Sequence, residues 1–219
     1  MKENITIQIF DTYGIIHHNN IAKTVKLENI IKSFSSVNMG IESPILPNNC
    51  IKFKEKGNST CIILYYEPTT FTAHLSNGSV YENVSRPGII MKFDLGKNTV
   101  TNQYNIQNTN CYGVKDPYIA LNDNTRLYGL PYPNISSSGG ICWGSNSIGG
   151  NFTSLVGLKS YIDRLFTSPF NNHLYNHTFL RSVANIDGHI ELFKFLQDKP
   201  HFPIEIFENL GTDFTLGKL

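Results

Sequence analysis

The sequence predicts an α+β fold, an antiparallel β-sheet with helices packed on one face. Three observations carry this. β-prone runs that alternate apolar and polar residues fill the chain as far as Tyr128. Apolar residues at a sustained helical spacing take over after the Gly149-Gly150 break. Strands first and helices after is the α+β order, not the alternation of a parallel sheet.

Ile5 to Phe10 alternates as a half-buried strand, Asp11-Thr12-Tyr13-Gly14 turns, and Ile15 to His18 returns as a second strand. His17 and His18 are neighbours on that strand and so point to opposite faces, which reads as strand-end residues and not as one site. Leu27, Ile30, Ile31 and Phe34 are spaced for a short amphipathic helix over Lys26 to Phe34. Pro44 and Pro47 mark a connection, and two runs, Cys50 to Lys54 and Thr60 to Tyr66, form a hairpin about Gly57-Asn58. Phe71, Ala73 and Leu75 alternate ahead of an Asn77-Gly78 turn. Gly88 to Leu95 and Thr99 to Ile106 are strands on either side of Gly96-Lys97-Asn98. Asn108 to Tyr112 reads as a loop that exposes Cys111, and Thr125 to Tyr128 as a short last strand.

Past Gly150, Leu155, Leu158, Ile162, Leu165 and Phe166 mark a helix over Phe152 to Phe166, ended by Pro169. Ile190, Leu192, Phe193 and Leu196 mark a second after Asp187-Gly188, and Pro203 to Leu210 a short third. At 219 residues the chain has room for one large domain, or one domain with an appendage.

Hydrophobic residues make up 40% and charged residues 16% of the chain, with a formal net charge of +1, so it folds as a globular protein. That balance gives no reason to expect nucleic acid or an anionic membrane surface as a partner. Met1-Lys2-Glu3-Asn4-Ile5 lacks the basic-then-apolar layout of a secretory signal, and no apolar run approaches the roughly 18 residues of a membrane span. The expectation is a soluble cytoplasmic protein. Its cysteines, Cys50, Cys61, Cys111 and Cys142, are widely spread with no Cys-x-x-Cys pair, so free thiols are expected and neither a zinc site nor another cofactor is.

The stretch from Pro131 to Gly144 carries the chemistry. It holds a Pro-Asn pair, a Ser/Gly-rich turn, and a cysteine eight residues after the asparagine. A thiol in such a turn can be reached by a substrate, and a nearby amide can donate to an oxyanion formed there.

Pro133-Asn134-Ile135-x-x-x-Gly139-x-Ile141-Cys142 resembles the active-site segment of ubiquitin-conjugating enzymes: His-Pro-Asn-(Ile/Val), a short turn, then Gly-x-(Ile/Val)-Cys. The resemblance is closer to the divergent bacterial branch, and closest to the protein B group of the PRTRC cassette. The residues behind this are Leu127-Tyr128-Gly129-Leu130-Pro131, Cys142-Trp143-Gly144-Ser145-Asn146, Phe166 to His173, and the closing Phe214-Thr215-Leu216. It covers residues 86–175 most specifically.

The resemblance implies a ubiquitin-conjugating-enzyme-like core over residues 41–219, with residues 1–40 an N-terminal β-rich extension. It implies that Cys142 accepts a ubiquitin-like C-terminus as a thioester from an adenylating (activating) enzyme and passes it to an acceptor amine or thiol. Asn134 would orient the loop or stabilise the oxyanion. Tyr132 stands where the family has a histidine, and Trp143 where it has a leucine. The acid that helps deprotonate the incoming lysine has no evident counterpart, and His173, with His177 behind it, is the candidate base. Two alternatives stay open: a catalytically silent relative that binds a ubiquitin-like protein or an assembly partner as a scaffold, and an unrelated cysteine hydrolase with its own histidine.

Overall fold

The computed structural model describes residues 5–18, 21–36, 44–116, 120–144 and 148–219. It divides into two compact units, residues 1–43 and 44–219.

The first unit is a three-stranded antiparallel sheet, β1 (Ile5–Ile9), β2 (Tyr13–His18) and β3 (Ile21–Lys26), followed by α1 (Leu27–Ser36). β1, β2 and α1 fall where the periodicity puts them. β3 does not, because its residues are mostly exposed and leave no alternation to read. His17 is exposed and His18 half-buried, as adjacent strand positions require.

The second unit is built on a six-stranded sheet in which every pairing is antiparallel. Chain order runs β4 (Cys50–Lys56), β5 (Ser59–Tyr66), β6 (Thr69–His74), β7 (Val80–Arg86), β8 (Gly88–Asn98), β9 (Gln103–Val114), β10 (Tyr128–Gly129) and β11 (Glu208–Asn209). The six strands are ordered β11-β10-β9-β8-β5-β4, while β6 and β7 form a separate hairpin. The helices are α2 (Tyr161–Thr167), entered through a 3-10 turn at Val156–Ser160, α3 (His177–Ala184) and α4 (His189–Leu196). Among the described residues no helix is long and apolar enough to cross a membrane.

Period-two alternation separates the faces of the sheet. Ile62 and Leu64 of β5, with Ile89, Met91, Phe93 and Leu95 of β8, enter the main core. Ile162, Leu165 and Phe166 of α2 and Leu192, Phe193 and Leu196 of α4 join them there. Each such buried side chain contributes about 1.5–3 kcal/mol. Ile63 and Ile90, one residue out of phase, belong to a smaller cluster with Leu127 and Leu216. The helices therefore cover one face of an antiparallel sheet, as the sequence predicts, and C-terminal residues help cover the other.

β9 corrects the sequence reading. The supposed loop Asn108 to Tyr112 is strand, and Cys111 is fully buried in the core. The cause is a bulge: Asp94 pairs with Asn108 but Leu95 with Ile106, which leaves Gln107 as an extra residue. Tyr104 and Ile106 face the core before the bulge, and Thr109 and Cys111 after it. The inward phase switches from even to odd numbers, so no single alternation spans the strand.

Candidate functional site

Cys142 is reached through a tight loop that leaves β10 and folds back on β9. Its backbone is closed by its own hydrogen bonds. Ser136 N–H donates to Gly140 O at 2.8 Å, Gly139 N–H to Ser136 O at 2.8 Å, and Cys142 N–H to Asn134 O at 2.8 Å. Ile135 and Ile141 form an antiparallel bridge between the two arms. The eight-residue step is thus the length that lets the chain turn and set Cys142 directly against Asn134.

Three bonds tie the loop to β9. Cys111 N–H donates to Gly139 O at 2.8 Å and Ile141 N–H to Thr109 O at 3.4 Å. The indole N–H of Trp143 donates to Thr109 Oγ1 at 2.8 Å. Trp143 also meets the ring of Tyr161 edge-on, with centroids 5.8 Å apart. The tryptophan beside the cysteine is therefore an anchor that fixes the far arm of the loop to the sheet and to α2. Ser145 and Asn146, the rest of that motif, lie outside the described residues.

Gly139 makes the turn possible. Its φ of +87° suits glycine, and a Cβ there would lie 2.3 Å from the Tyr112 ring. Gly139→Ala is expected to cost about 1–3 kcal/mol, read as a lower urea midpoint. The displaced turn should also loosen Cys142, read as a changed rate of alkylation of its thiol.

Asn134 is buried, and its amide nitrogen donates to Pro169 O at 3.3 Å. Pro169 lies just beyond α2. Phe170, the next residue, is fully buried and held to the end of β6 and the turn after it, through Phe170 N–H to His74 O at 2.8 Å and Ser76 N–H to Phe170 O at 2.9 Å. The side chain of Asn134 thus braces the cysteine loop against the post-α2 segment.

Tyr132 is fully buried, and its hydroxyl donates to Ser85 O at 2.9 Å. Its ring meets Phe166 edge-on at 5.1 Å and Phe71 edge-on at 5.8 Å. Burial pushes the phenol pKa well above its usual value, so it is a neutral donor and a packing residue.

Cys142 is exposed, while Cys50 and Cys61 are half-buried and Cys111 is buried. Burial raises the pKa of Cys50 and Cys61 and pushes Cys111 up to about 12. Those three are poor sources of thiolate at neutral pH.

His173 is exposed, in the turn four residues beyond Pro169, with its backbone N–H on Asn171 Oδ1 at 2.9 Å. His177 is the first residue of α3, and its side chain lies outside what is described. The structure therefore joins Cys142 to Asn134 directly. It connects His173 to them only through the segment that carries Pro169. Among the described residues no three His, Cys, Asp or Glu side chains come together as a metal-binding group.

Sequence reasoning missed Thr109 and the Pro169 carbonyl. The first was hidden by the β9 bulge, and the second is a backbone atom with no residue-type signal.

The arrangement can present a thiol to a large acyl donor, since Cys142 is exposed at the end of a braced loop. No curated protein and no solved structure matches the chain. The family described as prokaryotic E2 family D matches residues 26–209, from the last residue of β3 to the end of β11. The chain belongs to that family and is a bacterial relative of the ubiquitin-conjugating (E2) enzymes.

Proposed function

We propose that the protein is an active conjugating enzyme whose acyl-carrying thiol is Cys142. The observation that supports this most is the pairing of the one exposed cysteine with Asn134 across a loop braced at both arms. In the loading step the Cys142 thiolate attacks the thioester that joins a ubiquitin-like C-terminus to its activating enzyme. A new S–C bond forms, and the activating enzyme's cysteine leaves as thiolate. In discharge an acceptor amine attacks the Cys142 thioester, a C–N bond forms, the C–S bond breaks, and Cys142 leaves as thiolate. His173 takes the proton the amine loses, and Asn134 holds the loop, or donates to the oxyanion, while the carbonyl is tetrahedral. Thr109 and Trp143 are positioning residues for the thiol. The partners are a ubiquitin-like protein and its adenylating enzyme, and the motif around Cys142 supports placing the protein with the protein B group of the PRTRC cassette. Residues 1–40 form the extension to the conjugating domain at 41–219, and the setting is the cytoplasm.

The test is a reaction with a cognate activating enzyme, a ubiquitin-like protein and ATP, run on a non-reducing gel. The wild type should give a reductant-sensitive adduct, and Cys142→Ala none. Asn134→Ala should load but discharge to a free amine about 10²–10³-fold more slowly. His173→Ala should load normally and discharge about 10²-fold more slowly. If Asn134→Ala fails to load at all, its role is to support the loop. If the wild type gives no adduct with a working cognate set, the conjugating reading falls and the scaffold and hydrolase alternatives are what is left.

A further inference from the structure

A cavity of about 310 Å³ lies in the second unit where the end of β7, the start of β8 and the end of β9 meet the 200–207 segment. None of its walls belongs to the 131–144 loop. Pro68, Pro87 and Pro200 line it, and Val114, Phe202 and Phe207 supply apolar wall. Three prolines fix three φ angles, which keeps the shape pre-formed.

The polar side of this cavity carries one sign of charge. Arg86, Lys115 and His201 line it, and none of its described lining residues is Asp or Glu. Asp116 and Glu205, next to it in sequence, are exposed and not part of its walls. Arg86 is only 9% exposed. Its Nη2 donates to Glu67 O at 2.9 Å and its guanidinium lies over the Phe166 ring at 5.4 Å. Its Nε is buried and, among the described residues, finds no acceptor. Lys115 also lines a neighbouring cavity with Asp116 and Tyr128, and its Nζ rests over the Tyr128 ring there, 4.5 Å from the centroid. Arg86 also lines a second, wider groove along α2, where Asp163 is the carboxylate acting on it. That Nε is closed off from solvent, so what Arg86 offers the cavity is the charge of its guanidinium, which with Lys115 and no facing carboxylate favours an anion.

We propose that this cavity binds a small organic anion, a carboxylate or phosphate monoester with a compact apolar body. The anionic group sits against Arg86 and Lys115, with His201 at the rim, and the apolar body packs on Val114, Phe202 and Phe207. At this volume the site takes a body of about one aromatic ring.

Titration calorimetry on the full chain tests this with four probes: phenylacetate, phenyl phosphate, neutral phenylacetamide and inorganic phosphate. At least one aromatic anion should bind saturably, and the tighter of the two identifies carboxylate or phosphate as the group read. Phenylacetamide and inorganic phosphate should each bind about tenfold more weakly or worse. Lys115→Ala with His201→Ala removes two surface side chains and should weaken the anion about tenfold while leaving the thermal midpoint near wild type. Arg86→Lys, which keeps the charge but moves the donor, should weaken it further. Phenylacetamide binding as tightly as the tighter of the two aromatic anions would overturn the proposal. So would unchanged affinity in the Lys115/His201 variant, or no saturable binding of either aromatic anion.

Discussion

Tyr132→Ala is expected to cost about 3–5 kcal/mol of folding stability, the largest effect of any single change near the cysteine loop. The ring is fully buried between Phe71 and Phe166, so its removal leaves a void that the surrounding rings cannot fill without repacking. The loss also strands Ser85 O, which now accepts from the phenol. For a chain of this size the thermal midpoint should fall on the order of 10 °C. Tyr132→Phe separates the two contributions. It keeps the ring and loses only the buried hydrogen bond, at about 1–3 kcal/mol. Tyr132→His restores the residue usual in ubiquitin-conjugating enzymes but is smaller, and should fall between the two. Urea unfolding of the three variants gives the order directly. A Tyr132→Ala protein as stable as the wild type would show that the residue does not support the loop from below.

Cys142→Ala should remove nearly all rapid alkylation of the native protein. Iodoacetamide near neutral pH reacts with thiolate, and the other three thiols are held back by burial. Cys111 is the extreme case, with its pKa pushed up to about 12 by complete burial. Mass spectrometry of briefly labelled wild type should find the label on Cys142, and unfolding in denaturant should release the other three. Prior labelling of Cys142 should also abolish loading. Rapid native labelling at Cys111 would contradict the placement of β9.

What the sequence made legible depends on where alternation survives. β5 and β8 keep one phase through the core, and their runs of Ile, Leu, Met and Phe read as strands at once. β9 changes phase at Gln107, amid Asn105, Asn108 and Asn110, and polar residues around a bulge look like a loop. The hairpin of β6 and β7 is blurred for a similar reason, by a register shift between Phe71 and Ala73 and by Asn83 at a φ of +53°. α3 escaped because it is short and Leu180 is its one fully buried residue among those described. The cysteine loop was the most legible part, because a turn of fixed length with glycine at a positive φ leaves its constraints in residue identity. What holds that loop in place was not legible. Its anchors are a carbonyl at Pro169 and a hydroxyl at Thr109, which become partners only once the chain has folded.

Whether Cys142 carries the acyl group is decided by the chemistry of the adduct. Wild type and Cys142→Ser are loaded with the cognate activating enzyme, the ubiquitin-like protein and ATP, then treated with a thiol reductant and, separately, with mild alkali. The wild-type adduct should be cleaved by the reductant. The Cys142→Ser adduct should form more slowly, resist reductant and yield to alkali, as an oxygen ester must. A reductant-resistant wild-type adduct, or one that persists in Cys142→Ala, would place the acyl group on a residue other than Cys142.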